Sequence, residues 1–180
     1  MKIYISGGAK NGKSMFAQEA AKKLSKEGHL WYLATMEPRD NEDDARVIRH
    51  RKERAGWGFQ TVEWGRNIAS HCDKFDCKGT YLVDSVTALL SNEMFCGMSG
   101  DINKCASVKV ANELYDFSEK VENVVFVSDN IFCDAVFYDE WTDSYRKGLA
   151  EVDRFLAEKC DVVAEFCCDQ VIFYKGAELL

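Results

Sequence analysis

Eight residues near the N-terminus, Gly7-Gly8-Ala9-Lys10-Asn11-Gly12-Lys13-Ser14, restrict this chain more than any other segment. They match the pattern GxxxxGK[ST] without a gap. An apolar β-rich run, Lys2-Ile3-Tyr4-Ile5-Ser6, leads into them. Phe16, Ala17, Ala20, Ala21 and Leu24 follow at helical spacing, with Gly28 as a stop. Strand, glycine turn and helix in that order make a phosphate cradle. The glycines let the backbone turn tightly, so successive N–H groups point inward at phosphate oxygens, and the helix adds its positive end. Lys13 can reach the outer phosphates, and the Ser14 hydroxyl can ligate Mg²⁺. The expected ligand is a purine nucleoside triphosphate, GTP or ATP, bound with Mg²⁺.

The rest of the chain supplies the frame such a loop needs. Apolar runs at residues 30–35, 81–84, 124–128, 162–166 and 170–174 read as strands, and residues 41–54, 108–121 and 139–159 read as helices. The runs are unbroken rather than alternating, which indicates a mostly parallel sheet covered on both faces. The last two are so close that a hairpin is expected, making the terminal strand antiparallel. The fold class is therefore α/β, a three-layer P-loop fold. At 180 residues, with no internal repeat or linker, residues 1–180 are expected to form a single domain.

Composition narrows the partners. The formal net charge of −7 argues against bulk binding to nucleic acid or an anionic membrane, since both need a cationic surface. No stretch is long and apolar enough for a signal-peptide core or a spanning helix. The eight cysteines show no paired CxxC spacing and read as reduced thiols of a cytoplasmic protein.

Two further segments carry candidate chemistry. Asp84 ends the strand Tyr81-Leu82-Val83-Asp84, where a Mg²⁺-side carboxylate belongs; an acid at that place can also serve only as a turn or cap. The helix at 41–54, with Asp40 or Asn41 as N-cap, places Arg46, His50 and Arg54 at i, i+4 and i+8 on one face, with Arg49 beside them. Like charges at that spacing oppose helix formation, and a bound polyphosphate would relieve the repulsion. Neighbouring cations also favour a neutral, nucleophilic imidazole, suited to attack on an α-phosphorus. By charge pattern alone the same face can be simply solvated. His29 and His71 have no comparable setting.

GGAKNGKS, then YLAT, then a D-x-E-x-x-x-R-x-x-x-H-R helix, then T-V-E, then LVDSVTALLSN resemble the adenosylcobinamide kinase / adenosylcobinamide-phosphate guanylyltransferase family of cobalamin biosynthesis. The order and spacing agree from residue 1 to about residue 175. The resemblance implies a RecA-like P-loop fold, a trimer with sites shared between subunits, and two reactions. A nucleoside triphosphate phosphorylates the aminopropanol hydroxyl of adenosylcobinamide. GTP then passes GMP through an enzyme histidine to that phosphate, giving adenosylcobinamide-GDP and pyrophosphate. His50 falls at the nucleophile position. The implied nucleotide contacts are Gly7 to Ser14, Leu33, Ala34, Thr35, Arg51, Lys52, Glu53, Arg54, Glu63 and Asp84.

One region departs from that pattern. Relatives follow the fourth strand with N-E-V-G-x-G-x-V-P and then R-D-x-x-G-x-x-N-Q. Here Ser128-Asp129-Asn130-Ile131-Phe132-Cys133-Asp134-Ala135-Val136-Phe137 lacks both glycines and the proline. Arg146-Lys147 replaces R-D, and Asp153-Arg154 replaces N-Q. Glycine permits backbone shapes that Phe132 and Asp134 resist, so this loop must be built differently. Two alternatives stand beside the bifunctional enzyme: a P-loop kinase that has lost nucleotidyl transfer, and a nucleotide-switched binding protein with a mobile loop near residues 36–42.

Overall fold

The computed structural model describes residues 1–25, 29–38, 40–96, 102–132 and 134–180, with the backbone alone at Glu42, Asp44, Arg46 and Glu53. The expected helix stop at Gly28, Cys133 of the divergent loop, residue 39 of the expected mobile loop, and the side chains of Arg46 and Glu53 lie outside the described residues.

Along the chain come β1 (Lys2–Gly7), α1 (Lys13–Leu24), β2 (Leu30–Ala34), α2 (Asn41–Glu53), β3 (Gln60–Glu63), β4 (Thr80–Asp84), α3 (Val86–Met94), α4 (Ala106–Lys120), β5 (Asn123–Asp129), α5 (Glu140–Lys159), β6 (Val162–Cys167) and β7 (Gln170–Lys175). The strands form one seven-stranded sheet in the order β3-β2-β4-β5-β1-β6-β7. Every pairing is parallel except the β6–β7 hairpin, as its short connection requires. β3 and α3 were not read as elements from pattern alone. β3 is short and mostly exposed, and Ser85 caps α3 by accepting from the Ala88 N–H.

Each central strand feeds two cores, because successive side chains point to opposite faces. Tyr4, Tyr81, Val83, Val124 and Phe126 pack toward α3, α4 and α5. Ile3, Ile5, Leu82, Val125 and Val127 pack toward α1 through Ala17, Ala20 and Ala21. Three layers result, helix on sheet on helix, with an apolar core against each face of the central strands. Each such Val, Leu or Ile contributes roughly 1.5–3 kcal/mol by leaving water, so strand positions are firmly set. That rigidity matters at the carboxyl edge, where Gly7, Ala34, Glu63, Asp84 and Asp129 end five neighbouring parallel strands. In open parallel sheets this edge is where ligands bind.

The two helices flanking the site have explicit starts. Asp40 Oδ1 accepts from the Asp43 N–H at 2.9 Å at the head of α2, so Asp40, one of the two expected caps, makes that bond. Asp139 accepts from the N–H groups of Trp141 and Thr142, both at 2.9 Å, at the head of α5.

Candidate functional site

The glycine loop runs from the end of β1 into α1 and is shaped by its neighbour β6. Gly7 has no room for a side chain: a Cβ there would lie 2.6 Å from the Phe166 carbonyl oxygen and 2.7 Å from Asn11 Nδ2. Gly12 adopts φ +91°, with the Phe166 ring 3.1 Å from where a Cβ would be. Both positions therefore demand glycine. Asn11 stitches the turn, donating through Nδ2 to the Phe166 carbonyl at 2.5 Å and accepting the Lys13 N–H at 3.2 Å. Lys13 is buried, with its ammonium donating to the Gly8 carbonyl at 3.0 Å and 2.6 Å from Asp129 Oδ1. Gly8, Ala9, Lys10 and Ser14 complete the turn, with Lys10 at φ +57°.

A cleft of ≈ 650 Å³ opens along the carboxyl edge, in the range of small-molecule sites. His50, Arg51 and Arg54 of α2 line it together with Asp84, Ser85, Thr87 and Asp129 at and beyond the strand ends. Ala34 and Glu63 also line it. The loop residues are joined to it through the Lys13–Asp129 contact.

The position of α2 over the sheet is secured at its end. The Arg54 guanidinium lies 3.8 Å from the centroid of the Tyr32 ring and donates to Thr61 Oγ1 at 3.2 Å. A desolvated cation over a ring is worth up to about 2 kcal/mol. The Arg54 N–H donates to the His50 carbonyl, so that anchor lies one turn from the imidazole. Arg51 pairs with Glu63, tying the same turn to β3. Tyr32 continues the chain by donating its hydroxyl to Asp84 Oδ2 at 2.6 Å.

Of the expected nucleotide contacts, Leu33, Thr35 and Lys52 do not line the cleft. Leu33 is wholly buried in the core. Thr35 is wholly buried as well: its hydroxyl donates to the Ser85 carbonyl and accepts the Ser85 N–H, both at 2.7 Å. Contact from either residue to a ligand would have to run through the backbone. Lys52 is exposed and does not line the cleft. His71 stacks on Trp64 at 4.7 Å, and burial, helped by Lys74, lowers its pKa. His29 lies 2.7 Å from Asp76. Neither histidine lines the cleft.

Sequence reasoning missed Asp129, Thr87 and Asn92. Asp129 carried the signal that singled out Asp84, an acid closing an unbroken apolar strand. Asn92 braces the edge, donating to the carbonyls of Thr35 at 2.7 Å and Gly65 at 2.9 Å. No residue type in the sequence marks such a brace.

The divergent loop is held by Arg146, which donates to the carbonyls of Ile131 (3.2 Å) and Phe132 (3.4 Å) and pairs with Asp134 at 3.1 Å. Tyr138 also donates to Asp134. Side-chain bonds thus shape this glycine-free turn. The same stretch leaves Val136, Phe137 and Trp141 exposed.

Residues 3–171 match the family described as cobinamide kinase / cobinamide phosphate guanyltransferase, CobU. The chain belongs to that family. No curated protein matches it at a significant level. Among solved structures it is similar to the flagellar accessory protein FlaH from Methanocaldococcus jannaschii, with TM-score 0.51 and 10% identity over 97% of this chain and 77% of that one. A solved ATPase domain gives TM-score 0.54 and 11% identity over 97% and 76%. A DnaB-like replicative helicase gives 0.53 and 11% over 91% and 46%. At such identities the likeness concerns the fold alone, and it places this CobU-family chain among P-loop NTPase folds with a C-terminal antiparallel strand.

Oxygen donors are what the CobU-family site offers a divalent ion. Ser14 and Asp84 are hard ligands of the kind Mg²⁺ prefers. Among the described residues no group of three or more His, Cys, Asp or Glu side chains could hold a metal alone. An ion held by Ser14 and Asp84 would take the rest of its ligands from phosphate oxygens and water.

Proposed function

We propose that this CobU-family protein phosphorylates adenosylcobinamide with GTP or ATP and then transfers GMP from GTP, through a guanylylated His50, to give adenosylcobinamide-GDP. The observation that carries this reading is the shared cleft, which is lined by His50, Asp84 and Asp129 together. Asp129 touches the lysine of the phosphate loop. A triphosphate reaching from Lys13 toward α2 would carry its inner phosphorus toward the imidazole.

The chain's own residues then divide the work. Backbone N–H groups of Gly8 to Ser14 and the Lys13 ammonium hold the outer phosphates. Ser14 and Asp84 would hold Mg²⁺, whose contribution when bound is to neutralise phosphate charge. Arg51, Arg54 and Glu63, which line the cleft, receive the remainder of the nucleotide. His50 attacks the α-phosphorus. The N–P bond forms as the bond to the bridging oxygen breaks, and pyrophosphate leaves with that electron pair. The cobinamide phosphate oxygen later displaces the histidine and takes the GMP group.

The exposed apolar surface of Val136, Phe137 and Trp141 supports placing the corrinoid beside the Arg146-held loop. We treat residues 1–180 as one nucleotide-binding domain of a cytoplasmic homotrimer with no nucleic-acid partner. No helix among the described residues is long and apolar enough to cross a membrane.

Incubation with α-labelled GTP tests the mechanism. Acid-labile, base-stable label mapped to His50, and lost in His50→Ala, is the expected result. Label that persists in the variant overturns the histidine mechanism. The altered 128–137 loop favours a second reading, a kinase without guanylyl transfer. It predicts phosphorylated cobinamide with no covalent label.

A further inference from the structure

Of the cleft carboxylates Glu37, Asp43, Glu63, Asp84 and Asp129, the last is paired with the lysine of the phosphate loop. Glu37 is occupied by Arg66, accepting from Nε through both oxygens at 3.1 and 3.0 Å. Glu63 is held by Arg51 on the α2 side. Asp84 accepts the Tyr32 hydroxyl. Asp129 alone among these is 2.6 Å from the Lys13 ammonium. Its backbone is fixed on both sides: the Asp129 N–H donates to Thr87 Oγ1 at 2.8 Å, and the next N–H, of Asn130, donates to the Gly7 carbonyl at 2.9 Å. The strand register sets Asp129 directly opposite Gly7. Its side chain keeps 24% exposure and opens into the cleft.

An outer phosphate cradled by the loop would have β6 and Phe166 behind it, since Phe166 closes against Gly7 and Gly12. The acceptor must then approach from the cleft, past Asp129. We propose that Asp129 is the catalytic base of the phosphoryl-transfer step. The acceptor hydroxyl gives its proton to the Asp129 carboxylate as its oxygen bonds the outermost phosphorus. The bond from that phosphorus to the bridging oxygen breaks, and the nucleoside diphosphate leaves with the electron pair. The assignment rests on the kinase half of the proposed function.

Ligand binding itself prepares this base. When phosphate draws Lys13 away, the Asp129 carboxylate is released from its ion pair and its oxygens are free to accept from the acceptor hydroxyl. Asp84 of β4, Glu63 of β3 and His50, Arg51 and Arg54 of α2 line the same cleft, with Glu37 and Asp43, and the Asp129 charge also acts on Tyr145 and Asp153 of α5.

The test compares wild type with Asp129→Asn, which keeps shape and removes the base. Turnover of adenosylcobinamide should fall by about a hundredfold or more, while the Kd of a fluorescent triphosphate analogue stays within about threefold of wild type. Partial recovery in Asp129→Glu separates a lost base from a lost fold. Turnover within about threefold of wild type, or a defect confined to nucleotide affinity, overturns the assignment and leaves Asp129 as a counter-ion. Basal triphosphate hydrolysis, with water as the acceptor, should fall in the same proportion. If the wild type leaves adenosylcobinamide unphosphorylated, the substrate reading fails, and the hydrolysis comparison alone decides: unchanged hydrolysis in Asp129→Asn refutes the base.

Discussion

Replacing Asp153 by Asn should stabilise this protein, and increasingly so as the pH rises. Asp153 projects from α5 toward Tyr4 of β1 and Ser128 of β5 and is 8% exposed. Neither carboxylate oxygen closes a hydrogen bond among the described residues, and Ser128 Oγ beside them is likewise unsatisfied. Burial pushes the carboxyl up from 3.8 to about 7; Ser128 and Tyr4 pull the other way, and the Asp129 charge adds a smaller upward push. About three pH units separate the unfolded and folded values, each worth ~1.4 kcal/mol. The ionised side chain therefore costs the fold on the order of 4 kcal/mol above neutral pH. The sign is opposite to that of a salt-bridged carboxylate. Between about pH 4 and 7 the folded state binds the proton and the unfolded state does not, so wild-type stability falls by ~1.4 kcal/mol per pH unit and levels off above about 7. An asparagine at 153, the residue the family pattern carries there, escapes that loss. Urea unfolding of both proteins from about pH 5 to pH 9 measures it. The difference should widen up to about pH 7 and then stay constant, with a gain in Tm on the order of 10 °C at about pH 8. A difference that does not vary with pH, or one that narrows as pH rises, would refute the buried-carboxyl argument.

Other outcomes follow from the same geometry. Gly7→Ala drives a Cβ to 2.6 Å from the Phe166 carbonyl, so it should lower Tm and abolish triphosphate binding. Gly8→Ala meets nothing closer than 4.0 Å, and its unfolding free energy should stay within about 1 kcal/mol of wild type. Gly12→Ala combines φ +91° with the Phe166 ring at 3.1 Å; calorimetry should show about a tenfold or greater loss of nucleotide affinity, from roughly 1–3 kcal/mol of backbone strain. Arg146→Ala frees two carbonyls and Asp134 in the divergent loop. It should cost about 1–3 kcal/mol in denaturant unfolding and raise the KM for cobinamide while leaving the Kd for GTP near wild type.

What was legible in advance depended on whether a local rule applied. The phosphate loop could be read because its chemistry is carried by backbone, and backbone shape is dictated by Gly7 and Gly12 in place. The parallel sheet and its terminal hairpin could be read because unbroken apolar runs need two covered faces. His50 and Asp84 were visible as residue types at the end of a helix and a strand. Their meeting in one cleft was not. It depends on the Arg54–Tyr32–Asp84 chain and the Arg51–Glu63 pair, which join α2 to strands distant in sequence. Asp129 opposite Gly7 depends likewise on which strands become neighbours, as does Asp153 under Ser128. Strand order is settled by how the whole chain closes over its two cores, and no window of sequence records it. Local pattern determined the elements and the loop that binds phosphate; packing alone decided which acids face it, because side chains far apart in sequence meet only after the sheet has assembled.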